Sequence, residues 1–287
     1  MNDPASIGRP GDLAGRVLFE PLERWLTLSA DGLPSLDTLN AFATRSGDRP
    51  RNRRGNPVQF ALPTDDSMAY EALVFETGRV ATRTANWHDY FNALVWCAFP
   101  RAKAELNARH MAEIGRVSSR GGLERGRVRD ALTQFDECGM VVLGASAGVL
   151  DALAHHAWSD VFWHARRELM SRTRFILFGH ASYDALREPF PGLCAKVLYL
   201  AVPDTVIEGP VNEQVALVDQ WLARYFRSAD HALTPRDFAP MPLLGIPGVV
   251  LESAAQSYYA NVSQFRPLGA RTAAPVHGWR PRGANPL

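Results

Sequence analysis

A chain of 287 residues, 46% of them hydrophobic, can bury a substantial core in one large domain or two small ones. Its formal net charge of +1, from 31 basic and 30 acidic residues, creates no overall field for nucleic acid or an anionic membrane, so we expect neither partner. No segment reaches the roughly 20 apolar residues of a membrane span, and the three cysteines are widely separated without a C-x-x-C motif, so we expect a soluble protein of the reducing cytoplasm.

The N-terminal part predicts a tail followed by short helices. Residues 1–12 are predicted to be a flexible tail, and residues 15–45 alternate short apolar patches with Pro and Gly, which favours helices joined by turns. Arg51, Arg53 and Arg54 follow in a polar loop. They form either a solvated basic loop or a clamp for the phosphate or carboxylate of a small-molecule substrate, because guanidinium groups bind such anions through paired hydrogen bonds.

The next segment predicts a hairpin and two helices. Residues 69–83 alternate in hydrophobicity on both sides of a Thr-Gly pair, as two extended strands would. After Asn86 the apolar residues recur at helical spacing, and Pro100 should end or kink that helix. A second helix is predicted over residues 101–114 and a Gly-rich surface loop over residues 115–127.

A second hairpin is predicted further along the chain. Its strands are expected near residues 131–136 and 140–144, with Gly139 supplying a positive φ in the turn. Asp136 and Glu137 would then lie at the hairpin tip. Leu and other apolar residues repeat at helical spacing over residues 148–171, which predicts one long amphipathic helix.

The C-terminal third alternates strands and helices before it becomes rich in proline. We predict a strand ending at Gly179-His180 and leading into a helix, then a buried strand at residues 196–202 and an amphipathic helix at residues 212–226. The proline-rich residues 235–250 are expected to pack in an extended form over the surface, and residues 268–287 to be a flexible tail. Mixed helices and short antiparallel hairpins predict a single α+β domain over residues 13–267.

The tetrapeptide "NWHD" contains the first candidate site residues, His88 and Asp89. One interpretation is local: Asn86 caps the helix, and Asp89 at the third helical position reaches back in a capping box. The other is functional, since a histidine and a carboxylate at the junction of a strand and a helix are held rigidly beside a cleft. Position alone leaves both open.

Asp136, Glu137 and His180 also lie at predicted element ends, where turn chemistry or a buried histidine would explain them equally well. Together with His88 and Asp89 they form a nitrogen and oxygen ligand set suited to zinc, manganese or iron. The same residues would also suit acid–base catalysis without a metal, with His88 oriented by a carboxylate.

Two other motifs compete with this site. His156, Asp160, His164 and Glu168 recur every four residues on the predicted long helix, which suits either metal ligands or an ion-paired surface. Ser146 lies in "GASAG", which matches the G-x-S-x-G motif of serine hydrolases at a predicted strand-to-helix turn, but no oxyanion loop is apparent upstream.

Four stretches, "NWHDYFNALVWCAFPRAKAELN", "RVRDALTQFDECG", "ILFGHASYDAL" and "MPLLGIPG", resemble an uncharacterised bacterial family catalogued as domain of unknown function 3025. The resemblance covers roughly residues 15–267 and implies no particular reaction. The family's motif positions correspond here to Asn86, Trp87, His88, Asp89, Asn92, Asp130, Thr133, Asp136, Glu137, Gly139, Gly179 and His180. The motif positions thus include every residue of the candidate His/Asp/Glu site.

The leading hypothesis is therefore a metal-dependent hydrolase acting on a small molecule. Its catalytic residues would be His88, Asp89, Asp136, Glu137 and His180, with His88, Asp136 and His180 as the metal ligands. Its substrate-binding residues would be Arg51, Arg53, Arg54 and Asn92. The alternative is a non-catalytic binding or scaffold protein in which these side chains cap helices and satisfy buried backbone.

Overall fold

The computed structural model describes residues 8–45, 47, 49–64, 68–118, 126–228, 233–270 and 272–279. Its α-helices are α1 (Glu23–Leu28), α2 (Leu36–Arg45), α3 (Tyr70–Thr77), α4 (Trp87–Ala98), α5 (Pro100–Ser118), α6 (Arg127–Cys138), α7 (Ala147–Ala154), α8 (Arg166–Arg172), α9 (His180–Ala185), α10 (Asp204–Ile207) and α11 (Val211–Arg227). Its strands are β1 (Gln59–Ala61), β2 (Arg79–Ala81), β3 (Gly139–Gly144), β4 (Thr173–Leu177), β5 (Cys194–Ala201), β6 (Ala239–Pro242) and β7 (Val276–Gly278). A π-helical turn spans Asp160–His164, and short 3-10 helices span Pro10–Leu13, Glu20–Leu22, Pro235–Asp237, Leu243–Gly245, Leu251–Ala254 and Gln256–Ala260. Within these residues, no helix is both long and apolar enough to cross a bilayer.

The main sheet has five strands and is built around β5. Its order is β4-β3-β5-β6, and β7 pairs with the other end of β5. β3 and β5 run parallel with Val141 opposite Leu198, whereas β4 and β6 are antiparallel to their neighbours. Every residue of β3 is buried, as expected for a strand covered on both faces. The predicted single α+β domain is confirmed. A second, two-stranded sheet pairs β1 with β2 in parallel. Neither of the two predicted hairpins forms.

The hairpin predicted over residues 69–83 is wrong, because residues 70–77 form α3 and only residues 79–81 form a strand. Gly78 ends the helix in the left-handed conformation with φ 79°. The amide of Asn52 donates to the carbonyl oxygens of Val74 and Phe75 at 2.9 and 2.8 Å, which satisfies the free end of the helix. This partner is distant in sequence, so alternating hydrophobicity alone could not reveal it.

The second predicted hairpin is also wrong, since residues 131–136 lie in helix α6 and only β3 is a strand. Val128, Leu132 and Phe135 are buried at helical spacing. Gly139 has φ −69° and continues directly into β3 instead of making a turn. A side chain there would lie 2.4 Å from the carbonyl oxygen of Phe135, so glycine allows the strand to leave the helix sharply.

The long helix predicted over residues 148–171 is interrupted. α7 ends at Ala154, His156 adopts φ 59°, and a π-helical turn precedes α8. The indole of Trp158 donates to the carbonyl oxygen of Arg266 at 2.8 Å, which anchors the break to a distant segment. His156, Asp160, His164 and Glu168 therefore do not form the single four-residue row that the competing metal site required.

Other predicted elements are confirmed with shifted ends. Helices α4, α5 and α11, strand β5 and the succession β4, Gly179, α9 all form as expected. α5 continues to Ser118 and α6 begins at Arg127, so both ends of the loop predicted over residues 115–127 are helical. Residues 119–125 lie outside the described residues.

Regular structure is present in the described residues of both predicted tails. Residues 10–13 form a 3-10 helix with Leu13 buried, and residues 276–278 form β7, although both segments overlap the predicted tails. Residues 1–7 and 280–287 lie outside the described residues. The proline-rich segment does not cover the surface, because β6 pairs with β5 and Met241, Leu243 and Ile246 are fully buried.

Candidate functional site

Three helices bring the predicted His/Asp/Glu residues into a cleft of about 320 Å³. His88 lies in the first turn of α4, Asp136 and Glu137 in the last turn of α6, and His180 begins α9. The lining residues are Pro63, Tyr70, Glu71, Ala81, Arg83, His88, Asp89, Asn92, His110, Thr133, Asp136, Glu137 and His180. The fold thus places all five predicted catalytic residues, and Asn92, in one cleft.

Asn86 and Asp89 fix the start of α4. The side chain of Asn86 accepts from the backbone N–H of Asp89 at 2.9 Å, so the predicted cap forms. The Asp89 carboxylate does not reach back to Asn86. It accepts instead from the backbone and guanidinium of Arg83 at 2.8 to 2.9 Å. Burial opposes ionisation of Asp89, but the bonds from Arg83 outweigh it and lower its pKa to about 2.

Gly179 brings His180 to the end of α6. The backbone N–H of Gly179 donates to the carbonyl oxygen of Gly139 at 2.8 Å. A Cβ on Gly179 would lie 2.3 Å from the Cα of Cys138 and 2.5 Å from the carbonyl oxygen of Glu137. Only glycine permits this backbone contact, and the contact sets the separation of His180 from Glu137.

One carboxylate oxygen meets two imidazole nitrogens. Oε2 of Glu137 lies 3.3 Å from Nε2 of His88 and 3.4 Å from Nε2 of His180, and the two imidazole rings are 4.6 Å apart at 73°. Donor atoms of the three side chains all lie within 4.8 Å of one another, and this is the metal-compatible cluster found among the described residues. Around a tetrahedral ion with bonds of about 2.1 Å, two donor atoms lie about 3.4 Å apart.

Glu137, not Asp136, completes this cluster. Oδ2 of Asp136 faces Nδ1 of His180 at 3.9 Å, the ring atom away from Glu137 and beyond hydrogen-bond distance. In the described part of the chain, that buried Nδ1 has no hydrogen-bond partner. Asp136 therefore flanks the cluster and carries charge beside it.

The two histidines differ in their electrostatic environment. Glu137 and Asp89 hydrogen-bond His88 and raise its pKa, although partial burial opposes them. Burial dominates at His180 and lowers its pKa to about 4, against the attraction of Asp136, so this imidazole is neutral near pH 7. Burial opposes ionisation of Glu137, but His88 and His180 outweigh it, and the pKa of Glu137 is lowered.

This arrangement needs a cation. Nδ1 of His88 lies 3.2 Å from Asp89, so a neutral ring that carries its proton on Nδ1 directs the lone pair of Nε2 towards Glu137. Two acceptor atoms then face each other at 3.3 Å. Either a second proton on His88 or a metal ion relieves that contact.

Lys103 is a site residue that was not among the predicted ones. Its side chain is 3% exposed, and its ammonium donates to Oδ1 of Asp136 at 2.6 Å and to Oδ1 of Asn92 at 2.9 Å. The Asn92 amide in turn donates to the hydroxyl of Tyr70 at 3.1 Å. Burial disfavours the charged form of Asp136, but Lys103 and His180 outweigh it, so the pKa of Asp136 is lowered. A signal was present, since only two of the 31 basic residues are lysines.

The predicted substrate arginines lie elsewhere. Arg51 and Arg53 line a separate cleft, and Arg54 pairs with Glu76 at 3.1 Å. The arginine that lines the His/Glu cleft is Arg83, which was not among the predicted substrate-binding residues. Arg83 lies just after the end of β2. The hairpin predicted over residues 69–83 gave no indication that this arginine would face the cleft, because α3 and not a strand precedes β2.

Ser146 follows β3 and precedes α7, as its motif suggested, but its contacts are those of a helix cap. Its hydroxyl donates to Oε1 of Glu168 at 2.7 Å and accepts from the backbone N–H of Val149 at 3.3 Å. Within the described residues, no histidine makes a hydrogen bond to it. The serine therefore lacks the histidine base of a serine hydrolase triad among the described residues.

We expect a fluorophosphonate probe to leave Ser146 unmodified, because its hydroxyl is used in the helix cap and no described histidine is in place to activate it. Intact-mass spectrometry of the treated protein, with Ser146→Ala as the matched control, measures this. A probe adduct that disappears in Ser146→Ala would restore the serine hydrolase hypothesis.

A family model described as "Protein of unknown function (DUF3025)" matches residues 58–269 of the chain. The match contains the four motif stretches and all the charged side chains of the cleft, and confirms the predicted family, although it begins after residues 15–57. No curated protein matches the chain, and no solved structure does.

Proposed function

The chain belongs to the DUF3025 family of proteins of unknown function, and we propose that it is a metal-dependent hydrolase whose ion is bound by His88, Glu137 and His180. The observation that carries this proposal is the convergence of two Nε2 atoms on one oxygen of Glu137, at 3.3 and 3.4 Å. These separations are close to the roughly 3.4 Å expected between donor atoms around a tetrahedral zinc ion.

Three protein ligands are the number typical of catalytic zinc sites, whereas structural sites use four. Two histidines and one carboxylate also suit iron(II) or manganese, so zinc is the first ion to test and these are the next. A divalent ion bound by these ligands supplies a Lewis acid and lowers the pKa of a bound water.

The surrounding side chains have roles that follow from their contacts. Asp89 holds the proton of His88 on Nδ1, which leaves Nε2 free to act as a ligand. Lys103 keeps Asp136 ionised, and Asp136 is the carboxylate in the cleft that can accept a proton from an attacking water. Arg83 lines the cleft with one edge of its guanidinium bound to Asp89, and it offers positive charge to a small substrate.

The metal test measures zinc, manganese and iron by elemental analysis in protein purified without chelator. Wild type is expected to hold about one ion per chain, and His88→Ala/His180→Ala to hold none, because one carboxylate cannot retain the ion. His155→Ala is the matched control, since His155 is exposed and lies outside the cleft.

Added zinc must also fail to bind the double variant in calorimetry while binding His155→Ala as it binds wild type. Wild-type protein that contains no metal and binds none on addition would overturn the proposal. If the double variant then also melts well below wild type, the non-catalytic alternative gains. That alternative is favoured by Asp89, whose carboxylate joins α4 to the preceding backbone through Arg83.

A further inference from the structure

A second cleft, of about 460 Å³, lies on the other side of α5. The helix separates the two clefts, since His110 lines the first cleft and Lys103 binds its Asp136, whereas Ala104 and Glu105 line the second. Six arginines line the second cleft, which we call the arginine cleft: Arg49, Arg51, Arg53, Arg101, Arg224 and Arg227. They come from the segment before β1, the start of α5 and the end of α11.

A buried carboxylate holds two of these arginines in place. The side chain of Glu105 is 6% exposed and is 3.2 Å from Nε of Arg53. It also accepts from Nε of Arg227 at 3.0 Å and from a second nitrogen of the same guanidinium. Because each guanidinium has five N–H donors, both arginines keep donors that Glu105 does not use.

Arg51 is positioned by backbone. Its Nη1 donates to the carbonyl oxygen of Gly55 at 2.7 Å, within the turn that Asn52 ties to α3. Fixed guanidinium groups lose little conformational entropy when they bind an anion, so such a cleft is arranged for binding in advance.

The charge in this cleft is strongly unbalanced. Among the described residues that line the cleft, six arginines accompany one carboxylate, Glu105, and guanidinium groups have donors but no acceptors. A ligand with a single carboxylate would leave most of these donors unused. The planar fork of arginine matches phosphate oxygens, and a diphosphate offers several oxygens and charges within a short length.

We propose that the arginine cleft binds a small ligand through a diphosphate or triphosphate group. Its volume lies in the range of small-molecule sites. No aromatic side chain is among the described residues that line it, so the phosphates, and not a stacked base, are recognised. This site is independent of the metal centre and goes beyond the proposed hydrolase.

The test uses inorganic pyrophosphate and isothermal titration calorimetry on full-length protein freed of metal on a chelating resin, in about 0.15 M salt. Wild type is expected to bind pyrophosphate, and to bind inorganic phosphate and citrate more weakly. Arg49→Ala/Arg224→Ala should raise the Kd at least about tenfold, the equivalent of one charged hydrogen bond. Neither side chain makes a hydrogen bond or ion pair with another residue that the structure describes, so we expect this variant to fold normally.

Two controls separate this site from general charge and from the metal centre. Arg167→Ala removes an exposed arginine of α8 that does not line the cleft, and should bind pyrophosphate as wild type does. His88→Ala should also bind it unchanged. The proposal is overturned if wild type does not bind pyrophosphate, if citrate binds as tightly, or if either control weakens binding as much as the cleft variant.

Glu105→Gln tests whether the arginines must be held in position. The change removes a negative charge, so a nonspecific electrostatic field would bind pyrophosphate more tightly. A site that depends on fixed arginines should bind it more weakly, because Glu105 no longer orients Arg53 and Arg227 with a full charge. Tighter binding by Glu105→Gln would overturn the positioning role.

Discussion

Gly179→Ala is expected to lower the free energy of unfolding by about 3 kcal/mol, at the upper end of the cost of overpacking. The added methyl group would meet the backbone of Cys138 at 2.3 Å and of Glu137 at 2.5 Å. Backbone atoms cannot rotate away as the end of a flexible side chain can, so α9 must move away from α6. That movement would separate His180 from Glu137, so we expect the affinity for zinc to be lower as well as the free energy of unfolding.

Gly148→Ala is the matched control for this prediction. Gly148 lies in α7, where an added Cβ would have its nearest contact at 3.9 Å, to the hydroxyl of Ser146. Alanine is more favourable than glycine inside a helix. The free energy of unfolding of Gly148→Ala should therefore equal that of wild type or exceed it by up to about 1 kcal/mol. Urea denaturation followed by circular dichroism measures both variants. Equal stabilities for Gly179→Ala and wild type would show that the junction of β4 and α9 can relax. That result would contradict the claim that the close backbone contact of Gly179 positions His180.

The sequence predicted the elements whose partners are local, and failed where a distant partner decides. α4 was predictable because its cap, Asn86, and its apolar stripe lie within one helix. α3 was not, because its last carbonyl groups are satisfied by Asn52, more than twenty residues earlier. The break at His156 likewise depends on an anchor at Arg266. Periodicity describes one element and contains no information on such contacts.

The candidate site shows the same division. His88, Asp136, Glu137 and His180 could be selected because histidines and carboxylates stood at element ends, and His180 indeed follows β4 directly. The roles of Asp136 and Glu137 could not be distinguished from the sequence, because their segment was predicted as a hairpin and is the end of helix α6. On this helix Asp136 points to Lys103, whereas Glu137 points to the two histidines. Burial of Lys103 depends on the packing of α5 against several elements, which no pattern within α5 indicates.

Removal of the Lys103 charge is the second change with a large expected effect. Lys103→Met should lower the free energy of unfolding at pH 7 by about 3 to 5 kcal/mol, the cost of breaking a buried ion pair and leaving one charge without its partner. The ammonium is 2.6 Å from Asp136, whose side chain is 16% exposed, so water cannot replace the lost partner fully.

The pH dependence follows from the sign of the shift at Asp136. In the folded wild type, the pKa of Asp136 lies below its ordinary value. The ionised Asp136 therefore stabilises the fold at any pH above the pKa that this residue has in the unfolded chain. This stabilisation is lost as the pH falls through the pKa of Asp136 in the folded protein. Without Lys103, burial raises that pKa, and the variant takes up a proton at higher pH. The stability gap between the two proteins should therefore narrow as the pH falls from about 7 towards about 4.

Two further variants isolate the unpaired carboxylate as the cause. Lys103→Met/Asp136→Asn removes both charges and should recover most of the lost stability at pH 7, because no buried charge is left without a partner. Lys196→Met, which changes the other lysine of the chain, should cost less than about 1 kcal/mol, since Lys196 is only partly buried and has no ion pair with a described residue. Denaturant melts of the four proteins at pH 7 and pH 5 test the set. A double variant no more stable than Lys103→Met would mean that lost packing of the lysine stem, and not the charge on Asp136, destabilises the protein.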